Sequence, residues 1–136
     1  MRRKWFTMLV VIMLLAIITG CNKEETAGEK IRDLDFTVVA TENIPDELMV
    51  YVEEEKAEPF YRTYSDGDFM YLCVGYGEQE TGGYSISVNA LYLAEDGVCF
   101  DTTLMGPGPG EEQIASKSYP YIVICTEYID SPIVFQ

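Results

Sequence analysis

Two stretches of this chain are apolar on both sides at once, and they constrain the fold most strongly. From Asp68 to Tyr76, the residues Phe69, Tyr71 and Cys73 alternate with an equally apolar second set, and Tyr121 to Thr126 repeats the pattern. Successive side chains of a strand point to opposite faces of the sheet, so both faces of these strands need cover. The sequence therefore predicts a sheet that is covered on both sides, with these strands in its middle.

Short glycine turns predict that neighbouring strands form antiparallel hairpins. Asp66-Gly67 and Asp96-Gly97 each stand between two runs of β-type residues, a pattern typical of a two-residue type I′ turn. Asp66-Gly67-Asp68 lacks the rest of a calcium loop, which favours the turn. The predicted hairpin strands are Phe60 to Ser65 with Asp68 to Tyr76, and Tyr84 to Ala94 with Val98 to Leu104.

The remaining elements predict one helix packed on a β domain. We expect a strand over Asp35 to Ala40, a helix that begins around Asn43 to Glu47 and stops at Pro59, and an edge strand at Ile133 to Phe135 after a proline. The fold class is mainly β (α+β). It is an antiparallel, hairpin-rich sandwich or partly open barrel of about seven strands with one packed helix, and the pattern leaves those two architectures open.

The N-terminus has the features of a lipoprotein signal. Three basic residues precede an apolar run of 15 residues, which is shorter than the roughly 17 to 25 residues of a membrane span, and Ile18-Thr19-Gly20-Cys21 resembles a lipobox. The alternatives are a short membrane helix or an ordinary signal peptide. We predict a signal peptide over residues 1–20, a lipidated Cys21 with a flexible tether over 21–30, and a β domain over 31–136, anchored on the extracytoplasmic face of the cell membrane.

Charge and composition exclude several kinds of function. The net charge is -14, and loss of Arg2, Arg3 and Lys4 with the signal would leave six basic residues against 23 acidic ones, which argues against a nucleic-acid partner. The chain has no histidine, so Ser-His-Asp and Cys-His catalysis are excluded. Ser116-Lys117-Ser118 is the one Ser-Lys cluster, and it is interpreted as an exposed loop because an active lysine needs burial. We expect no enzymatic activity and no cofactor or metal.

The cysteines of the predicted domain do not form a metal or redox motif. Cys73, Cys99 and Cys125 lie among strand residues without a Cys-x-x-Cys unit. Buried free thiols are the leading interpretation, and one disulfide with one free thiol is the second.

Two loops rich in glycine and proline are the candidate contact surface. Gly82-Gly83 precedes Tyr84, and a second loop contains Gly106-Pro107-Gly108-Pro109-Gly110. Each is either a recognition loop or a plain connection between strands. Tyr84, Tyr119 and Tyr121 flank the two loops. Tyrosine gives a large contact area with a polar tip, although packing within the sheet explains these three tyrosines equally well. The candidate partner-binding residues are Gly82, Gly83, Tyr84, Pro107, Gly108, Tyr119, Pro120 and Tyr121.

These same motifs resemble a known family. The Tyr71 to Tyr76 strand, the Thr81-Gly82-Gly83-Tyr84-Ser85-Ile86 turn, the Pro-Gly loop and the Tyr119-Pro120-Tyr121-Ile122-Val123 strand look like the C-terminal domain of the protease-complex subunit PrcB family, over roughly Asp35 to Phe135. The resemblance implies an accessory envelope lipoprotein associated with a surface protease complex. It implies no reaction.

The leading hypothesis is therefore a lipid-anchored accessory protein that binds and assembles or stabilises another envelope or secreted protein, such as a protease. Docking would use these loops or strand addition at a sheet edge. The alternative is an extracytoplasmic module that binds a small molecule or glycan through its tyrosines. A third hypothesis, catalysis by carboxylates, requires a cleft with two facing acids.

Overall fold

The part of the chain that the structure describes is a sandwich of two four-stranded sheets with one helix packed on the outside. The computed structural model describes residues 28–111 and 115–136, so the predicted signal peptide, Cys21 and most of the predicted tether lie outside the described residues. Within them the elements are β1 Lys30–Asp33, β2 Phe36–Val38, a 3-10 turn Thr41–Asn43, α1 Asp46–Glu55, β3 Pro59–Ser65, β4 Phe69–Tyr76, β5 Ser85–Ala94, β6 Gly97–Met105, β7 Tyr121–Glu127 and β8 Ile133–Phe135.

The strand order confirms that the two doubly apolar strands lie in the middle of a covered sheet. The first sheet has the order β1-β5-β6-β8, and the second has the order β2-β7-β4-β3. β4 and β7 are neighbours at the centre of the second sheet, paired antiparallel from Phe69 with Glu127 to Gly75 with Tyr121.

One face of the β4–β7 pair forms the core between the sheets. Leu72 and Ile124 contribute to this core and are completely buried, as are Val98 and Phe100 of β6 opposite them. The Tyr76 hydroxyl, on β4, is 2.6 Å from the Thr102 hydroxyl of β6, so the buried polar group of Thr102 has a partner across the core.

The other face of the β4–β7 pair packs against α1. Cys73 and Val123 form a second core with Leu48 and Val52 of the helix, and all four side chains are at most 2% exposed. The helix begins after Pro45 and carries Asp46 and Glu47 in its first turn, as the sequence predicts. It ends at Glu55, and Pro59 belongs to β3 and does not stop the helix.

A bulge keeps the long strand β5 in phase with the core. The register between β5 and β6 shifts between Val88 and Ala90, which leaves Asn89 as the extra residue. Val88 before the bulge and Leu91 after it therefore both face the core. The Asn89 side chain donates to the Thr103 hydroxyl at 2.8 Å.

One strand was not expected, and two expectations about other strands need correction. An additional strand, β1, pairs with β5, so the described residues form eight strands where about seven were expected. β8 is an edge strand, as predicted, but it pairs with β6 in parallel. The predicted strand over Asp35 to Ala40 is shorter, because regular pairing with β7 covers only Phe36–Val38.

Both hairpins form, but neither has a type I′ turn. Type I′ needs positive φ at two successive residues, whereas no described non-glycine residue has positive φ and only Gly67 has it in the first turn. There the Asp66 carboxylate accepts hydrogen bonds from the amides of Asp68 and Phe69. In the second hairpin Ala94 pairs with Gly97, so Glu95 and Asp96 make the turn.

One glycine of β4 is required by an aromatic ring on the neighbouring strand. Gly75 pairs with Phe60, whose ring covers the glycine, and a Cβ placed on Gly75 would lie 2.1 Å from a ring carbon. We expect Gly75→Ala to lower the free energy of unfolding by about 1–3 kcal/mol, because overpacking displaces the ring. Urea unfolding followed by circular dichroism measures this.

The control is Gly108→Ala, since a Cβ at Gly108 would be 3.5 Å from the nearest atom and the change should stay within about 0.5 kcal/mol. Equal effects of the two substitutions would contradict the interpretation of Gly75.

Candidate functional site

The two predicted glycine loops pack against each other at one end of the sandwich. Gly83 has φ +87°, and a Cβ there would lie 3.2 Å from the Pro107 side chain. A Cβ on Gly106 would lie 3.3 Å from the Tyr84 ring. The structure thus brings Gly83, Tyr84 and Pro107 together, and glycine is needed where the two loops touch.

The loop before β7 joins this end of the molecule. Gln79 and Ser118 exchange backbone hydrogen bonds of 2.8 and 3.0 Å, and the Ser118 hydroxyl donates to the Thr81 carbonyl at 2.6 Å. We call the described residues 78–84, 106–111 and 115–120 the loop cluster. Seven of the eight candidate contact residues lie in the loop cluster, and Tyr121 follows directly at the start of β7.

An ion pair fixes the base of the loop cluster. The Glu78 carboxylate accepts hydrogen bonds from Lys117 Nζ and from the Tyr119 hydroxyl, each at 3.1 Å. These two hydrogen bonds lower the pKa of Glu78, and the hydrogen bond to Glu78 raises the pKa of Lys117. Lys56 lies over the Tyr119 ring, 5.4 Å from its centroid. The position of Tyr119 is therefore set by two charged groups, Glu78 and Lys56, which lie on two other segments of the chain.

The tyrosines before and within β7 line a groove beside β2. We call it the Tyr121 groove; its volume is 320 Å³, and it lies between Val38, Val39, Thr41 and Ile44 on one side and residues 119–123 on the other. Tyr119, Pro120 and Tyr121 all contribute to its wall. Gly83 and Tyr84 do not line it, so the candidate residues form two neighbouring patches linked through Ser118.

A second groove continues along β2 in the other direction. The Phe69 groove has a volume of 350 Å³ and is lined by Asp35, Phe36, Thr37, Phe69, Cys125, Thr126 and Glu127. Phe36 and Phe69 are 40% and 51% exposed, so this groove presents aromatic surface to solvent. β2 therefore has a groove beside each half of its length.

The titratable groups near these surfaces do not favour catalysis. Lys117 stays protonated because Glu78 raises its pKa, the opposite of what a lysine base needs. Burial raises the pKa of the Cys73 thiol to about 12 and also raises that of Cys125, so neither becomes a thiolate near neutral pH. In the described part of the chain, no three His, Cys, Asp or Glu side chains are grouped so as to hold a metal ion. The arrangement of these groups favours binding of a partner over catalysis.

Comparison with known proteins gives a family. The family model described as PrcB C-terminal matches residues 70–127. This stretch is similar to the PrcB C-terminal family. No curated protein and no solved structure matches the chain.

The match confirms the family resemblance over a narrower range than the sequence motifs suggested. It begins at the second residue of β4 and ends with β7, so it contains the rest of β4, all of β5 to β7 and all eight candidate contact residues. β1, β2, β3, α1 and β8 lie outside the matched range. The PrcB family supports an accessory role associated with a protease complex.

Sequence reasoning missed the features that hold and extend the site. The pairing of Glu78 with Lys117 joins residues far apart in the chain, and no local pattern indicates it. The exposed apolar side chains of Phe36, Val38 and Phe69 were assigned to strands but not to a surface. One signal was available: Phe36 to Thr41 contains no charged residue in a strongly acidic chain.

The ion pair of the loop cluster makes a testable prediction about protonation. Replacing Lys117 by Met should raise the pKa of Glu78 toward its ordinary value, because the largest cause of its depression is removed. Tyr119→Phe should have a similar, smaller effect. Carbon-detected NMR titration of the Glu78 carboxyl measures both. The pair stabilises the loops above the ordinary pKa of Glu78, and this contribution is lost as the pH falls through the lowered pKa.

Lys30→Met provides the control, since Lys30 pairs with Asp33 on β1. A Glu78 pKa that is the same in wild type and Lys117→Met would show that the ion pair does not form in solution.

The three thiols of the described residues should differ in accessibility. All three are free, Cys73 and Cys99 are fully buried, and Cys125 is partly exposed beside the Phe69 groove. We expect a maleimide to label Cys125 slowly in the native protein, and Cys73 and Cys99 only after denaturation, as read by peptide mass spectrometry. Native labelling of Cys73 at the rate of Cys125 would contradict the packing of α1 on β4.

Proposed function

We propose that this protein is a lipid-anchored, extracytoplasmic and non-catalytic subunit that binds a partner protein, a surface protease complex, and assembles or stabilises it. The observation that carries the proposal is the PrcB C-terminal match over residues 70–127. It covers the central strands and the whole loop cluster, so the matched range contains both the scaffold and the proposed contact surface.

The loop cluster is the proposed docking surface. Recognition residues are commonly placed on loops that a rigid scaffold holds. Here Gly83 packs on Pro107, and the Ser118 hydroxyl donates a hydrogen bond to the Thr81 carbonyl. The Glu78 carboxylate accepts hydrogen bonds from Lys117 and Tyr119. Such a set of tied loops would lose little conformational entropy when a partner binds.

Attachment to the membrane would come from the N-terminus. Cys21 follows a lipobox-like sequence, and Asn22 to Lys30 contains no large apolar residue. The Gly28 amide donates to Asp96 and β1 begins at Lys30, so the tether would comprise residues 22–27. A coil of these six residues would reach on the order of 12–15 Å and hold the domain close to the membrane surface. Among the residues that the structure describes, no helix has the length and apolar character of a membrane span. The acidic domain would be repelled by anionic headgroups, so a lipid on Cys21 would supply the attachment.

The proposal is tested by cross-linking and pull-down from native membranes with the tagged protein, followed by mass spectrometry. We expect stoichiometric recovery of a protease or another envelope protein. Cys21→Ala should move the protein from the membrane fraction to the soluble fraction. The double variant Tyr84→Ala with Tyr121→Ala should recover the partner at least about tenfold less well, because it removes one tyrosine from each patch.

The matched control is Tyr61→Ala with Tyr128→Ala, which removes two exposed tyrosines that lie outside the loop cluster. Equal losses in the two double variants would contradict docking through the loop cluster. A wild-type protein recovered alone would contradict the accessory role and favour the alternative, binding of a glycan or small molecule at Tyr119 and Tyr121.

A further inference from the structure

We infer that β2 is a second binding element, at which an extended, apolar segment of a partner protein with basic flanking residues adds to the sheet as a fifth strand. The inference rests on the proposed function, since it names the kind of partner segment that such a subunit would hold.

Among the described residues, the hydrogen-bond pattern leaves the outer backbone groups of β2 without a partner strand. The Val39 amide donates to the Val123 carbonyl at 2.8 Å, and Thr37 pairs with Cys125 two residues earlier. In an antiparallel pair the residues between such positions direct their amide and carbonyl groups away from the partner strand. The backbone groups of Phe36 and Val38 therefore point outward from the sheet edge, where an added strand would bond to them.

The other three edges of the two sheets carry features that oppose strand addition. β1 contains Lys30, Arg32 and Asp33 and has a register shift, and β3 begins with a proline and contains Arg62. The side chains of β8 are all half-buried. β2 has no charged residue, and all three of its side chains are exposed. It is the edge that lacks the usual protection.

The surroundings of β2 supply places for side chains. The Tyr121 groove lies beside Val38 and the Phe69 groove beside Phe36, with volumes of 320 and 350 Å³. Alternate side chains of an added strand point to the same face of the sheet, so they would lie over these two grooves. Val38 and Phe36 are 56% and 40% exposed, so an added strand would also bury apolar surface that is now in water.

Charge decides which kind of segment fits. Asp35 directly precedes β2, and Glu42 lies in the 3-10 turn four residues after it. Neither has a basic partner within salt-bridge distance among the described residues. The nearby Arg32 is already paired with Glu127 at 2.9 Å. A segment with lysine or arginine at its ends would be attracted, whereas a second copy of this chain, with a net charge of -14, would be repelled.

The test uses a synthetic peptide, acetyl-Lys-Val-Thr-Val-Thr-Val-Lys-amide, and the full chain in detergent. Amide exchange and chemical shifts are followed by NMR. We expect the peptide to slow exchange at Phe36 and Val38 and to shift resonances along both grooves. A peptide with glutamate at both ends should bind at least about tenfold more weakly, and added salt should reduce this difference.

Two variants of β2 have a matched control on the opposite edge of the same sheet. Val38→Pro removes an outward amide, and Val38→Lys keeps the backbone but places a charge on the edge. Each should weaken peptide binding at least about tenfold. Thr63→Pro removes an outward amide from β3. The Asp66 amide donates to the Phe69 carbonyl, so in the alternating pattern of β3 the amide of Thr63 points away from β4. This substitution should leave peptide binding unchanged.

Several results would overturn the inference. The first two are unchanged peptide binding to folded Val38→Lys and exchange protection at β3 in place of β2. Protection of Phe36 and Val38 without peptide would show that the chain's own N-terminal segment occupies the edge. Protection that grows with protein concentration would show that a second copy occupies it. Partner recovery from membranes that is unaffected by Val38→Lys would overturn the inference and leave the proposed function standing. Failure of the wild type to recover any partner counts against the proposed function itself.

Discussion

The pairing of β4 with β7 is the interaction on which the rest of the structure depends. Each strand is apolar on both faces, so the pair cannot be stable until a second sheet covers one face and α1 covers the other. The same strands end at the loop cluster, because β4 leads into Glu78 and β7 follows Tyr119. The positions of Glu78, Lys117 and Tyr119 are thus a consequence of the central register. This links the core of the domain directly to its proposed contact surface.

The features of the fold that depend on local pattern were predictable from the sequence. The alternation in β4 and β7 predicted their central position, and the Asp-Gly pairs predicted the hairpins. The turn type and β1 were not predictable, because they depend on tertiary pairing. The segment Lys30–Asp33 is mostly polar, and it forms a strand only because it pairs antiparallel with β5. In the first hairpin the Asp66 carboxylate accepts hydrogen bonds from two backbone amides, and these bonds close the turn without positive φ at Asp66.

The candidate site was predictable in part, for a similar reason. Glycine, proline and tyrosine mark loops and contact residues locally, and Gly83, Tyr84 and Pro107 do come together. The link between the two patches through Ser118 and Thr81, and the pairing of Glu78 with Lys117 and Tyr119, join chain segments about 40 residues apart, and no local sequence pattern indicates these contacts. The sheet edge at Phe36 and Val38 is recognised only from the strand order, in which β2 has one neighbour among the described strands.

Hydrogen exchange of the domain, alone and in the complex purified from membranes, tests the central claim most directly. The account predicts slow exchange in β4 and β7 in both states, and additional protection in the complex at residues 78–84, at 117–121 and at Phe36 and Val38. Exchange that does not change anywhere in these segments, or that slows only on α1 or β8, would contradict the assignment of this end of the sandwich and its β2 edge to partner binding.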